Sequence, residues 1–368
     1  MAAAPPSLRS EIESFMARRR VPGMVAGLVR GGEAQAWGFG RVAADGPAPN
    51  ARTVFEIGSI TKVVTGLVLA RLVAEGRTSL DQPIRALLEG PVALPDWGGH
   101  EPTLRHLATH SATLPRASRR MLAGALRDRA NPYRDYGEDK LYADLADLRI
   151  GAGLGQAFEY SNLGAGLLGH LLTLVAGRDY EALARDVAQT LGLDDTTITL
   201  GADQHARLAQ GHQFGKPVGL WDMGVLAGAG ALRSTAADLL LFLQSNLGRR
   251  SGPLDAVLQE AQQPLLRVSD TLSIGLFWHL SPLGGVPGRP TVAWHRGETG
   301  GMRGFIGFLR ERALGLVLLA NAAVGVDELG LELLAQLGAP PTIERTPDGR
   351  PIFFRFKYRP RTKRKPEG

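Results

Sequence analysis

The chain contains no cysteine, which excludes disulfide bonds and thiolate metal sites. It has no uninterrupted apolar run of about 18 residues, so no membrane-spanning helix is predicted. The first six residues, MAAAPP, lack the apolar centre of a signal peptide, and we therefore expect a cytoplasmic protein. With 44% hydrophobic and 21% charged residues in a chain of 368, the composition favours a substantial buried core divided between two or three lobes.

Lysine is scarce as well, since six of the 42 basic residues are lysines. The net charge of +6 belongs to the last 14 residues, where seven basic residues and one glutamate stand together, so the rest of the chain is neutral. This distribution argues against nucleic-acid binding by the fold. A basic tail over 341–368 is most often solvated, and contact with anionic surfaces is the alternative.

Strand patterns occur at both ends of the chain and helical patterns in the middle. Strands are predicted at 24–29, 34–39, 291–295, 305–309 and 314–321. Helices are predicted at 10–19, 59–76, 104–109, 143–150, 163–176, 234–248 and 327–337. We therefore predict an α+β fold, an α/β sandwich with one antiparallel sheet built from both ends and flanked by helices. The sheet domain would comprise 1–82 and 205–340, with an all-helical domain inserted at 83–204.

Lys62 is the only lysine in the first 139 residues, and it follows Ser59 by three places. The segment after it, VVTGLVLA, is apolar on every face and predicts a buried helix. Burial lowers the pKa of an amine and makes it available as a base, and a hydroxyl one turn earlier lies on the same face. The segment 59–62 therefore favours an activated serine nucleophile over the alternative, a helix cap beside a lysine whose side chain reaches solvent.

Two further segments carry groups suited to chemistry. Tyr160 and Asn162 stand two places apart at a loop-to-helix junction, so both side chains are expected to face one cleft. The glycine-rich end of a strand, WHRGETGG at 294–301, allows a ligand to approach backbone N–H donors. Each segment alone is more typical of ordinary structure, a helix cap beside a core tyrosine or a turn with a half-buried histidine.

Together, Ser-x-x-Lys, Tyr-x-Asn and His-x-Gly resemble the three motifs of the serine β-lactamase and penicillin-binding protein superfamily, and the tyrosine points to its class C-like branch. The resemblance runs from 21 to 337 and includes the segments 103–111 and 232–238. We expect no metal and no cofactor. The resemblance implies that Ser59 forms an acyl-enzyme, that Lys62 and Tyr160 share the role of base, and that Asn162 orients the substrate or the lysine. The backbone N–H groups of Ser59 and Glu298 would form the oxyanion hole, with His295 and Gly297 in the third motif.

This sequence departs from the superfamily pattern at two places. His295 stands where lysine is usual, a pattern that resembles the esterases and D-aminopeptidases of the superfamily. Because histidine is mostly neutral at pH 7, the site should hold a substrate carboxylate less firmly, unless Arg296 supplies the charge. Reading Glu298 as the first residue of this motif would put a carboxylate where a cation is needed, so we disfavour it. Thr113 replaces a usual glycine.

These features predict a serine hydrolase that acts on small esters or amides through an acyl-enzyme. A β-lactamase or D-alanyl-D-alanine carboxypeptidase is the alternative enzyme. A non-catalytic interaction protein on the same scaffold is the alternative from another class, and the intact Ser59, Lys62 and Tyr160 argue against it.

Two other patterns are weak. His106 and His110 have the i, i+4 spacing of zinc ligands, but no glutamate follows the first histidine, so a structural pair is favoured. The segment GAGLG at 151–155 resembles a phosphate loop superficially and lacks the lysine that such a loop requires.

Deleting residues 359–368 is expected to leave hydrolysis unchanged, because the basic tail is predicted to lie apart from the site. The measurement compares kcat/KM of the full-length and truncated proteins on one substrate. A large loss of activity would show that the tail belongs to the site.

Overall fold

The computed structural model describes residues 3–88, 92–150 and 153–338. The predicted basic tail at 341–368 and the first two residues of the GAGLG segment lie outside the described residues. The strands are β1 Gly23–Arg30, β2 Glu33–Gly40, β3 Val54–Glu56, β4 Gly211–Gln213, β5 Lys216–Val218, β6 Arg233–Thr235, β7 Leu266–Ser269, β8 Leu272–Ile274, β9 His279–Pro282, β10 Thr291–Glu298, β11 Arg303–Leu309 and β12 Leu314–Ala320. The helices are α1 Pro6–Arg19, α2 Thr61–Ala74, α3 Leu104–Ala108, α4 Arg119–Arg127, α5 Glu138–Asp147, α6 Asn162–Ala176, α7 Tyr180–Thr190, α8 Ala202–Ala206, α9 Ala227–Gly230, α10 Ala236–Asn246, α11 Asp255–Ala261 and α12 Asp327–Gly338.

Eight strands form one antiparallel sheet in the order β2-β1-β12-β11-β10-β9-β8-β7. The first strand of the chain pairs with the last, with Ala26 opposite Leu318, so the sheet is built from both ends as predicted. The α+β fold is thereby confirmed. Strands β7 to β9 were not predicted, because they are three or four residues long and too short for a clear alternation of apolar and polar residues.

Both faces of the sheet are covered, which explains why β12 is apolar along its whole length. Leu316 and Leu318 pack with residues of α1 and α12 on one face. Val317 and Leu319 belong to the cluster on the opposite face, together with residues of α2 and α10. The same cluster continues into α3, α6 and α7, so the central helices share their core with the sheet. A separate helical domain at 83–204 stays a prediction.

Two helix boundaries differ from the expected ones in an informative way. The helix predicted at 143–150 lies at Glu138–Asp147. Its first turn contains two acidic residues, whose negative charges interact favourably with the positive end of the helix dipole and stabilise the helix. Ser59 lies in a short 3₁₀ turn, Gly58–Ile60, ahead of α2, and no side chain caps that helix. The reading of Ser59 as a helix cap is therefore excluded.

None of the helices within the described ranges has both the length and the apolar character needed to cross a bilayer.

Candidate active site

The Ser59 turn lies directly against the end of β10. Gly58 has a φ of 48°, and a Cβ at this position would lie 2.6 Å from the backbone nitrogen of Glu298. A Cβ at Gly297 would lie 1.9 Å from the carbonyl oxygen of Ile57. Both glycines are therefore required for the close approach of two backbones. This approach brings the N–H of Glu298 close to Gly58 and therefore close to the neighbouring Ser59.

Lys62 is fully buried and donates three hydrogen bonds from Nζ. The acceptors are Ser59 Oγ at 3.0 Å, Asn162 Oδ1 at 2.9 Å and the carbonyl oxygen of Ala229 at 2.7 Å. They belong to the 3₁₀ turn, to α6 and to α9, so three separate segments of the chain meet at one nitrogen. Three acceptors satisfy the three protons of an ammonium group.

The pKa of Lys62 is lowered well below its ordinary value, chiefly because burial removes the charge from water. The positive charge of Arg116 lowers it further, and the negative charge of Glu298 opposes the shift. A neutral amine keeps two protons and one lone pair, and Ser59 Oγ lies within hydrogen-bond reach of it. The arrangement can therefore remove the proton of the serine hydroxyl.

Tyr160 and Asn162 are positioned by hydrogen bonds between two loops. The N–H of Glu159 donates to the carbonyl of His110 at 2.8 Å, and the N–H of Ser161 donates to His110 Nδ1 at 3.1 Å. The N–H of Asn162 donates to the carbonyl of Arg116 at 3.0 Å. Both predicted site residues consequently lie beside Lys62, as their i, i+2 spacing predicts.

The phenol of Tyr160 lies in a crowded and charged environment. Its ring centre is 4.5 Å from that of His110, 5.0 Å from Lys62 Nζ and 5.1 Å from the guanidinium carbon of Arg116. Burial raises the pKa of Tyr160 to about 12, although a hydrogen bond with Ser59 and the charge of Arg116 oppose the rise. The resting side chain at neutral pH is therefore the protonated phenol, a proton donor, and Lys62 is the group suited to act as base.

His295 lies on the face of β10 that is turned towards the Ser59 turn, two residues before Gly297, and is fully buried. Its Nδ1 donates to the carbonyl of Arg296 at 2.7 Å, whereas Nε2 has no hydrogen-bond partner among the described residues. Burial lowers the pKa of His295 well below its ordinary value, and the charges of His279 and Lys62 lower it further. The third motif therefore presents a neutral imidazole.

The structure shows the surroundings of Arg296 and Thr113, the two residues discussed with the departures from the superfamily pattern. Arg296 Nη1 lies 2.7 Å from Asp327 Oδ2 at the start of α12, so this arginine is engaged in an ion pair. Thr113 keeps the left-handed conformation that glycine would favour, with a φ of 55°, and its hydroxyl donates to the carbonyl of Ala112. A β-branched residue in this conformation carries backbone strain.

Several residues near the site were not predicted from the sequence. Buried Glu56 accepts a hydrogen bond from the N–H of Trp221 at 2.7 Å and lies 3.9 Å from buried Arg233. The pKa of Glu56 is raised, mainly by burial. The Trp221 ring contacts Tyr133 edge-on at 5.4 Å and lies beside Gly300. Glu56 and Arg233 therefore help to position two packed aromatic side chains next to Gly300. These residues lie far apart in the chain, so no short sequence pattern indicates that they meet.

The two candidate zinc ligands serve different structural roles. His106 Nδ1 accepts a hydrogen bond from the N–H of Thr103 at the start of α3, whereas His110 Nδ1 accepts one from Ser161. Within the described parts of the chain, no cluster of three or more potential ligands is arranged to hold a metal ion.

The buried histidines predict a loss of stability in acid. Burial is the largest cause that lowers the pKa of His279 to about 4, so below pH 6.5 the unfolded chain binds a proton that the native chain excludes. Between pH 7.5 and pH 5 this residue should cost the wild type about 2 kcal/mol of unfolding free energy. We expect urea unfolding to show that His279→Gln loses that much less than the wild type over this interval.

The exposed His205 provides the matched control, and His205→Gln should follow the wild-type pH dependence. Equal pH dependence of the wild type and the His279 variant would contradict the assignment of a neutral buried imidazole.

The chain is similar to several known proteins. A sequence model of the Beta-lactamase family matches residues 8–339. The D-alanyl-D-alanine-carboxypeptidase/endopeptidase AmpH of Escherichia coli K12 is 26% identical over 314 residues, covering 77% of each chain. A β-lactamase from the same strain is 28% identical over 349 residues, covering 84% of this chain and 86% of the relative.

The fold is also that of solved structures. The crystal structure of a class C β-lactamase from Rhodobacter sphaeroides superposes with a TM-score of 0.72 and 24% identity, covering 87% of this chain and 95% of the other. The match of the family model extends over nearly all the described residues, from α1 to the end of α12. The chain therefore belongs to the β-lactamase family of serine hydrolases.

Proposed function

We propose that this serine hydrolase cleaves small esters or amides through an acyl-enzyme formed on Ser59. The observation that carries the proposal is the 3.0 Å contact between Lys62 Nζ and Ser59 Oγ at a fully buried lysine. Burying a charge without a function is costly, whereas a buried amine with a lowered pKa is suited to deprotonate a hydroxyl.

In acylation, the Ser59 hydroxyl proton passes to Lys62 Nζ as Oγ bonds to the substrate carbonyl carbon. The negative charge on the carbonyl oxygen is stabilised by the N–H groups of Ser59 and Glu298, whose segments are in close backbone contact. Asn162, through its hydrogen bond at 2.9 Å, fixes the direction of the lysine side chain.

Departure of the leaving group requires a proton on it. Tyr160, with a pKa of about 12, donates its phenolic proton as the bond from the carbonyl carbon breaks, and the protonated Lys62 restores it. In deacylation, water attacks the acyl carbon, its proton passes to the same amine–phenol pair, and Ser59 Oγ leaves as a hydroxyl. All the proton transfers thus use two side chains within reach of Ser59.

A β-lactamase or D-alanyl-D-alanine carboxypeptidase is the second candidate. The names of the two Escherichia coli relatives favour it. The neutral, buried His295 disfavours it, because the substrates of both activities carry a carboxylate, position 295 supplies no cation and the neighbouring Arg296 is paired with Asp327. The third candidate, an interaction protein without activity, is disfavoured by the free-energy cost of burying Lys62.

One assay separates these candidates. Wild type and Ser59→Ala are tested against a short-chain p-nitrophenyl ester and a chromogenic cephalosporin. We expect ester hydrolysis that disappears in the variant. Efficient cephalosporin hydrolysis would favour the second candidate, and the absence of both activities, with no β-lactam bound to Ser59, would favour an interaction protein.

Replacing Lys62 by arginine tests the identity of the base. A guanidinium keeps the positive charge and cannot give up its proton at neutral pH, so Lys62→Arg should lower kcat/KM by about a thousandfold. The matched control is Lys216→Arg, at an exposed position of β5, which should retain wild-type activity.

Thermal unfolding of both variants separates a loss of the base from a loss of the fold. A folded Lys62→Arg protein that keeps activity within tenfold of the wild type would contradict the role of Lys62 as base.

A further inference from the structure

Three arginines lie near the candidate site, and two of them form contacts within the protein. Arg296 forms its ion pair with Asp327. Arg303 Nη1 donates to the carbonyls of Thr299 at 2.5 Å and Met302 at 2.8 Å. Both arginines therefore use Nη1 for contacts within the protein.

Arg116 differs from these two residues. Its side chain is exposed, and among the described residues it forms neither an ion pair nor a side-chain hydrogen bond. Its guanidinium carbon lies 5.1 Å from the centre of the Tyr160 ring, and its carbonyl accepts the hydrogen bond from Asn162. The backbone is fixed to the site while the five N–H donors of the guanidinium remain available.

The charge of Arg116 reaches the reaction centre. It lowers the pKa of Lys62, of Tyr160 and of His110, so all three groups experience its field. A planar guanidinium binds a carboxylate through two parallel hydrogen bonds, which combine charge with direction. Among the described residues, the other cation over the ring of Tyr160 is Lys62, whose Nζ is already hydrogen-bonded.

We propose that Arg116 recognises a negatively charged group, a carboxylate, on the substrate. The inference rests on the proposed esterase or amidase function and specifies the substrate class of that site. It places the charge recognition on the central helical part of the chain, beside Tyr160, and not on β10, where His295 is neutral.

The test uses three chromogenic esters on wild type, Arg116→Gln and Arg116→Lys. The esters are p-nitrophenyl pentanoate, which is neutral, mono-p-nitrophenyl succinate, which is anionic on the acyl part, and 3-carboxy-4-nitrophenyl acetate, which is anionic on the leaving group. Arg127→Gln, at an exposed position of α4, is the matched control.

We expect Arg116→Gln to lower kcat/KM about tenfold for at least one anionic ester, the order of a charge-assisted hydrogen bond at a partly exposed site. The neutral ester should lose less kcat/KM than the anionic ester in the same variant, and the ratio of the two losses separates recognition of the charge from the effect of Arg116 on the pKa of Lys62. Arg116→Lys should retain part of the preference, and added salt should reduce it. The ester that responds identifies which part of the substrate carries the charge.

An equal loss on neutral and anionic esters would overturn the proposal and give Arg116 a structural role. If the wild type hydrolyses none of the esters, the proposed function fails separately. Binding of mono-p-nitrophenyl succinate to Ser59→Ala, with and without Arg116→Gln, then tests the recognition by calorimetry. Equal affinities would overturn it, and about tenfold weaker binding of the double variant would support it.

Discussion

The structure depends on the burial of one amine. Placing the Lys62 side chain in an apolar helix costs several kcal/mol unless its nitrogen is fully hydrogen-bonded. The acceptors come from the turn before α2, from the first residue of α6 and from α9. These three segments therefore pack stably when they are arranged so that all of them reach Nζ. The same requirement that specifies the packing also places the Ser59 hydroxyl next to a weakened base. Stability and chemistry therefore share one set of contacts.

The second constraint is the pairing of the loop before α6 with the loop after α3. His110 contributes its carbonyl and its Nδ1 to this pairing, and its ring packs against Tyr160. Because Nδ1 accepts a hydrogen bond from a backbone N–H, the proton of the neutral ring is on Nε2. A protonated His110 would lose that acceptor, and burial disfavours the charged form. The orientation of Tyr160 thus depends on a histidine that the sequence suggested only as half of a structural pair.

Sequence reasoning succeeds where the determinant is local. The apolar helix after Ser59, the Tyr160–Asn162 spacing and the long strands at both ends each carry their signal within a dozen residues, and the sheet topology follows. It fails where partners meet only in the folded chain. The strands β7 to β9 are stabilised by neighbours in the sheet and not by their own pattern. Likewise, nothing in the sequence indicates that Arg296 pairs with Asp327 while Arg116 lies over Tyr160.

The position of a cation near Lys62 also affects the pKa of Lys62 and therefore the strength of Lys62 as a base. A lysine at position 295 would be fully buried, and its charge would act on Lys62 without screening by solvent. It would oppose the protonated state that Lys62 adopts in the proposed mechanism when Ser59 gives up its proton. Arg116 is exposed, so salt and water weaken its effect on the amine, while a bound carboxylate would neutralise it during the reaction. With a neutral His295, Arg116 is the main charge that lowers the pKa of Lys62, and a bound carboxylate would offset that effect.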